Sequence, residues 1–288
     1  MTSIVIPAHN EGQVIGRLLD SLVADPAGPA APGDGETDIV VVCNGCTDDT
    51  ARIAAARGPR VRVVEIPTPS KHAAMRAGDD HARGFPRLYV DADVVLTAAD
   101  VRALVEPLTD DASDILATAP ERRIPLTGCG WRVRAYYRVW QRLPAVREGL
   151  FGRGVIAVSK AGHARIAALP PLMADDLAAS LAFAPGERLV VGGAGVVVHP
   201  PRTWRDLMRR RVRAAVSTAQ VEQHQGPKDA SARTSVADLK ALVRRDPRLL
   251  PSVVVFLAAA VAARRAARKA IRAQDFGTWL RDESSRQN

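Results

Sequence analysis

Short apolar runs alternate with longer mixed segments along the first half of the chain. "SIVIP" (Ser3–Pro7), "DIVVVC" (Asp38–Cys43), "RVRVVEI" (Arg60–Ile66) and "RLYVDAD" (Arg87–Asp93) have the length and the Val/Ile content of buried strands. The stretches between and after them, Glu11–Val23, Thr47–Arg57, Lys71–Arg83 and Ala98–Leu108, have helical length. This β-α-β-α order predicts an α/β fold, with a mostly parallel, Rossmann-like sheet flanked by helices on both faces. The Pro/Gly-rich "DPAGPAAPGDGE" (Asp25–Glu36) reads as a surface loop, because the alternation resumes directly after it.

In an open sheet of this kind ligands bind beyond the carboxyl ends of the strands. Those ends are polar here: "PAHNEGQ", "CNGCTDD", "PTPSKHAA" and "DAD". None is a G-x-G-x-x-G turn opening a helix, which excludes a nicotinamide-binding reading where its glycines would be needed. If the fourth strand runs through Asp93, its period of two places Asp91 and Asp93 side by side. Two adjacent carboxylates repel and raise one pKa, so the pair suggests that a cation or a bound ligand shares the site. Asn10 with Gln13 also has the spacing of a helix capping box.

Charge changes the picture in the last third. From residue 200 onward there are 19 Lys and Arg against 8 Asp and Glu, whereas residues 1–199 carry 21 against 23. All of the net charge of +9 therefore lies beyond residue 199, and a segregated basic tail implies an anionic partner. Leu249–Ala263 is an apolar run of 15 residues with five alanines and a proline. It is short of the roughly 20 residues a membrane span needs. Arginines stand on both sides of it, which suits an in-plane membrane helix or a helix packed on protein. Without a recognisable module, basic charge alone does not indicate nucleic acid. The opening "MTSIVIPAHN" reads as a core strand rather than a leader, and Cys43, Cys46 and Cys129 are odd in number, without zinc-ligand spacing. The reading is a cytoplasmic protein with ordinary thiols, peripheral at the inner face of the membrane.

The ordered series "VIPAHNE", "CNGCTDDT", "SKHAAMRAG", "DADV", "ADDLAASL" and "RRRVRAA", spread over residues 3–220, resembles the motif series of the family-two inverting glycosyltransferases. The resemblance implies a glycosyltransferase-A type fold and transfer of a sugar from a nucleotide-diphosphate donor to an acceptor hydroxyl. It assigns Pro7, Asn10 and Glu11 to the nucleotide pocket, Lys71 to the nucleotide, Asp91 to the ribose and metal shell, and Asp93 to a divalent cation, Mn²⁺ or Mg²⁺, that neutralises the diphosphate leaving group. Asp176 would be the base that takes the acceptor proton, with Asp175 as its acidic neighbour, and His199 a third metal ligand or a diphosphate contact. Asn44 stands where many members read the base with Asp; it offers a donor as well as an acceptor, which leaves guanine or thymine open beside uracil. Arg213 is the one match to the Q-x-x-R-W motif of processive members, since Arg210 and Ala214 replace its Gln and Trp. This favours a single-transfer enzyme in which Arg213 holds the diphosphate. "FGRG" (Phe151–Gly154) resembles the acceptor-side loop. Between them, the aromatic and basic segment that includes Trp131 and Arg132 could stack on a sugar ring, lie at a lipid interface or pack on the domain.

The expected organisation is a nucleotide-sugar-binding catalytic domain over residues 1–225 and a basic helical extension over 226–288, with a lipid-linked or glycan acceptor. A nucleotidyltransferase shares the α/β domain and the metal need, but carries a Gly-rich basic loop where this chain has "PAHNEGQ". A non-catalytic membrane-binding protein would explain the tail and leave the acidic strand ends unexplained.

Overall fold

A computed structural model describes residues 1–24, 37–110, 112–169, 175–225 and 234–272. The chain forms two compact units. The first comprises residues 1–123, 150–171 and 182–198; the second comprises 124–149, 172–181 and 199–288. The boundary expected at residue 225 falls inside the second unit.

The first unit is built on a seven-stranded sheet. Its strands are β1 (Thr2–Ala8), β2 (Thr37–Asn44), β3 (Val61–Ile66), β4 (Arg87–Val90), β5 (Ala117–Arg123), β6 (Val155–Val158) and β7 (Arg188–Val197), in the order β3-β2-β1-β4-β6-β5-β7. β1 pairs in parallel with β2 and β4, β2 with β3, and β5 with β7; β6 alone runs antiparallel to its neighbours. The mostly parallel α/β sheet read from the sequence is therefore present.

The strands read as continuous apolar runs because both of their faces are buried. Ile4, Ile6, Ile39 and Val41 join a core with Ile15, Leu18, Leu19 and Leu22 of α1 (Ile15–Val23), to which α2 (Thr50–Ala55) and α4 (Ala98–Thr109) also contribute. The intervening Val5, Val40 and Val42 face the opposite side, over which lie α3 (Lys71–His81) and α7 (Lys160–Ala167). α3 approaches so closely that a Cβ on Gly78 would stand 2.2 Å from Val5 Cγ1.

Two local expectations are corrected. β4 ends at Val90, so Asp91–Val94 is a turn rather than strand. α1 begins at Ile15 behind Val14, with no side-chain cap, and Asn10 lies outside it at φ 51°. The capping box is absent because Asn10 takes a left-handed conformation and spends its side chain elsewhere.

The second unit is helical: α5 (Trp131–Trp140), α6 (Pro144–Glu148), α8 (Asp175–Leu181), α9 (Trp204–Gln225), α10 (Val236–Arg245) and α11 (Leu250–Arg272). α11 packs against α5 and α9. Tyr136 of α5 stacks on Phe256 of α11 with ring centroids 5.1 Å apart, and the Arg211 guanidinium of α9 lies 5.8 Å from the Tyr136 ring.

Candidate active site

The carboxyl ends of β1 and β2 are laced together by side-chain hydrogen bonds. Asn10 Oδ1 accepts from the Thr47 N–H at 2.8 Å, and its left-handed backbone turns the chain out of β1. Asn44 Nδ2 donates to the Ala8 carbonyl at 2.8 Å, while His9 Nδ1 donates to the Asn44 carbonyl at 2.6 Å. The Glu11 N–H donates to Thr50 Oγ1 at 2.8 Å, and the Asp48 carboxylate accepts from Gly12 N–H at 3.0 Å and from Thr50 Oγ1 at 2.5 Å. Burial alone would raise the Asp48 pKa, but the hydrogen bonds from Thr50 and Gly12 outweigh it and hold the carboxyl below its ordinary value. Asp48 therefore stays an acceptor that fixes both loops. Nothing in the sequence pattern marks this bridging role, because the bonds join residues 36 apart or two apart within a turn.

Of the residues expected to line the nucleotide pocket, Pro7 is half-buried in β1, Glu11 is 8% exposed and Asn44 only 3%. Asn44 thus ties β2 to β1 with the group that was expected to read a base. The Cys43 thiol is pushed up to about 12, by burial first and then by Cys46 beside it, so it is an unreactive thiol. Cys46 Sγ donates to the Ala8 carbonyl at 3.4 Å.

The second cluster lies past β4. The Asp91 N–H donates to the Gly154 carbonyl at 2.7 Å, and Asp91 Oδ1 stands 2.8 Å from Lys71 Nζ. Both side chains are 40% exposed, so a ligand from solvent can reach them. Lys71 is the first residue of α3, where a cation meets the positive end of the helix dipole. Asp91 offsets that local cost. In the turn that follows, Ala92 and Val94 are buried while Asp91 and Asp93 are half-exposed. The in-and-out alternation thus persists although the strand has ended. Gly154 approaches this turn at φ 67°, and a Cβ there would lie 2.6 Å from Val94 Cγ1 and 3.3 Å from Asp91 Oδ2. The glycine is needed both for its conformation and for the space.

Arg153, in the same "FGRG" turn, was not singled out from the sequence. It is 2% exposed and donates to the Pro120 carbonyl at 2.8 Å. Burial lowers its pKa to about 10, which still leaves it cationic at neutral pH. Arg122, at the end of β5, lies with its guanidinium 6.0 Å from the Phe151 ring centroid.

In the second unit, Asp175 and Asp176 open α8, and Asp176 is exposed, with Oδ1 accepting from the Leu177 N–H at 2.8 Å. Ala178, Ala179 and Ser180 are buried, so the helix presents Asp176 from an anchored face. His199 and Arg213 are half-buried, the latter on α9. Arg132 lies 5.2 Å from the Trp131 ring and 5.8 Å from that of Trp204, which joins part of the aromatic and basic segment into one cluster.

Two carboxylates suit Mg²⁺ or Mn²⁺ in a phosphoryl-ligand site, where one or two protein acids and the substrate's phosphate oxygens complete the shell. Asp91 already faces a cationic group from solvent-accessible space. Among the described residues no three of His, Cys, Asp and Glu come together as a metal-binding group.

Residues 3–165 match the model of glycosyl transferase family 2. An uncharacterized glycosyltransferase of Mycobacterium tuberculosis (strain ATCC 25618 / H37Rv) is 33% identical over 172 residues, which are 54% of this chain and 71% of the relative. A dolichyl-phosphate beta-glucosyltransferase of Trichomonas vaginalis is 39% identical over 97 residues, 32% of this chain and 29% of that protein's length. Among solved structures, a mannosyltransferase from Pyrobaculum calidifontis in complex with GDP-Man and Mn²⁺ superposes over 97% of this chain and 80% of its own, with a TM-score of 0.59 at 19% identity. The chain belongs to glycosyl transferase family 2 and is a glycosyltransferase. The nucleotidyltransferase and non-catalytic alternatives are thereby set aside.

Proposed function

We propose that the protein is a metal-dependent, inverting glycosyltransferase that moves one sugar per encounter from a nucleotide-diphosphate donor to an acceptor hydroxyl. The observation that carries this reading is the half-exposed Asp91 carboxylate with Lys71 Nζ at 2.8 Å, just past the carboxyl end of β4 in the middle of the sheet. The Mn²⁺ in the mannosyltransferase complex supports the same cofactor. Asp93 and Asp91 would hold the divalent cation, which when bound neutralises charge developing on the diphosphate leaving group. Lys71 is placed to exchange its carboxylate partner for a phosphate oxygen, a charge-assisted contact of similar strength. Arg213 would add a second cation for the diphosphate.

Asp176 is assigned as the base. It would take the proton of the acceptor hydroxyl as that oxygen displaces the nucleoside diphosphate from the opposite face of the anomeric carbon. Its exposure at the start of α8 supports this role. Arg210 and Ala214, in place of the Gln and Trp of processive members, support a single transfer.

The test is the release of nucleoside diphosphate from UDP- and GDP-sugars in Mn²⁺, with the product's anomeric configuration read by NMR. Asp176→Asn is expected to lower kcat by about 10²- to 10⁴-fold while leaving nucleotide affinity unchanged. A variant within a few fold of the parent, or a product that keeps the donor's configuration, contradicts the assignment. Asp175→Asn, expected to have the smaller effect, checks which of the adjacent acids acts.

A further inference from the structure

α11 has two faces. Val253, Phe256, Ala259, Ala263 and Ala267 are buried against the rest of the second unit. On the opposite side Leu250, Val254, Leu257 and Val261 are 55%, 60%, 44% and 46% exposed. Their spacing of four, three and four residues places them in a single stripe along the helix. Exposed Leu and Val occur singly on most surfaces, but four in line form a patch that calls for an occupant.

The residues that continue the stripe are cationic. Arg264, Arg265 and Arg268 are all exposed. At 100° per residue, Arg268 falls at the same angle as Leu250, with Arg264 and Arg265 within about 60° on either side. At the other end Arg244, Arg245 and Arg248 are exposed just before the helix. A helix dipole favours cations at a C-terminus, but it does not explain why they lie on the face that carries the apolar stripe.

The distribution of charge selects the occupant. In a second copy paired through this face, antiparallel helices would set the arginines before one helix against those ending the other, and parallel helices would set like ends together. Both arrangements place cations against cations. An anionic lipid surface instead satisfies both ends at once, with acyl chains between them for the stripe.

We infer that α11 docks this face on an anionic membrane surface, lying in the plane of the interface with Leu250, Val254, Leu257 and Val261 inserted and the flanking arginines among the headgroups. The segment Pro247–Lys269 has the length and, with a mean hydropathy of 1.7, the composition of a spanning helix. Its other face is already buried in protein and its exposed face ends in arginines, so the helix lies on the bilayer rather than through it. The inference is independent of the catalytic assignments.

The test is flotation of the full chain with vesicles of phosphatidylcholine alone and of phosphatidylcholine mixed with phosphatidylglycerol. The parent protein is expected to float with the mixed vesicles only, and to be released as salt is raised. Val254→Asp with Leu257→Asp is expected to abolish flotation. Arg264→Gln with Arg265→Gln and Arg268→Gln is expected to weaken partitioning by on the order of 100-fold. All five positions are exposed, and an unchanged melting temperature confirms the fold. The salt response of the parent gives a readout that needs no variant. Failure of the parent to float with anionic vesicles, equal flotation of the variants, or membranes that retain the protein through alkaline carbonate would overturn the inference. So would a dimer in sedimentation that Val254→Asp dissolves.

Discussion

Lys71 and Asp91 show how a single ion pair can serve two states. With both side chains 40% exposed, the pair contributes little to stability, since solvent screens it. Its value lies in keeping a cation beside a carboxylate without fixing either. Lys71→Met should lower affinity for nucleoside diphosphate by about tenfold in Mn²⁺ while leaving the melting temperature within a degree or so; calorimetric titration and a melting curve check both halves. Asp38 is the contrasting case, 8% exposed and bound by Arg62 at 2.6 Å. Burial alone would raise its pKa, but hydrogen bonds from Arg62, the Arg83 N–H and Ser3 prevail and lower it from 3.8. The stability this gives is complete above the unfolded pKa and is lost as pH falls through the lower, folded value. Asp38→Asn should therefore cost about 1.5–3 kcal/mol at neutral pH, and the gap in denaturant midpoint should close in acid below the ordinary carboxylate range. Little of this was legible beforehand. A bond from Asn10 to Thr47 or from Asn44 to Ala8 joins residues 36 or 37 apart, and such a bond leaves no periodic trace in a sequence.

Elements were legible where burial is two-sided. β1 and β2 announce themselves by their Val and Ile runs because helices cover both faces of the sheet, whereas the edge strand β3 (VRVVEI) carries Arg62 and Glu65 within its run. β5 (ATAPERR) has no such signal: its first four residues are buried and its last three are charged, and its register with β7 shifts at Pro120/Glu121. β4 looked longer than it is because Ala92 and Val94 keep the inward alternation of a strand within a turn. That turn is held by the Asp91 N–H to Gly154 bond, to a residue far along the chain. The α3 packing gives a direct test. Ala in place of Gly normally favours a helix by about 1 kcal/mol, yet a Cβ at Gly78 would meet Val5 Cγ1 at 2.2 Å. Overpacking should win, and Gly78→Ala should destabilise by about 1–3 kcal/mol in chemical denaturation.

At the scale of the molecule, the order of the motifs was enough to anticipate the family: the first four follow β1 to β4, strands the apolar pattern had already marked, and the last two fall on α8 and α9. The division into units was not anticipated. The second unit gathers 124–149, 172–181 and 199–288, three segments brought together only by the fold, and its last helix packs on α5 more than a hundred residues earlier. The first unit carries Lys71, Asp91 and Asp93, and helices of the second unit carry Asp176 and Arg213. The central claim is that the donor's diphosphate binds through a divalent cation held by Asp93. It is tested most directly by calorimetric titration of UDP, GDP, dTDP and CDP with and without Mn²⁺, on the parent and on Asp93→Ala. The account predicts that at least one nucleotide binds in Mn²⁺, and that omitting the metal or replacing Asp93 weakens it by tenfold or more, roughly the effect of losing one charged contact. Equal binding with and without metal, an unaffected Asp93→Ala, or no binding by any of the four would contradict it.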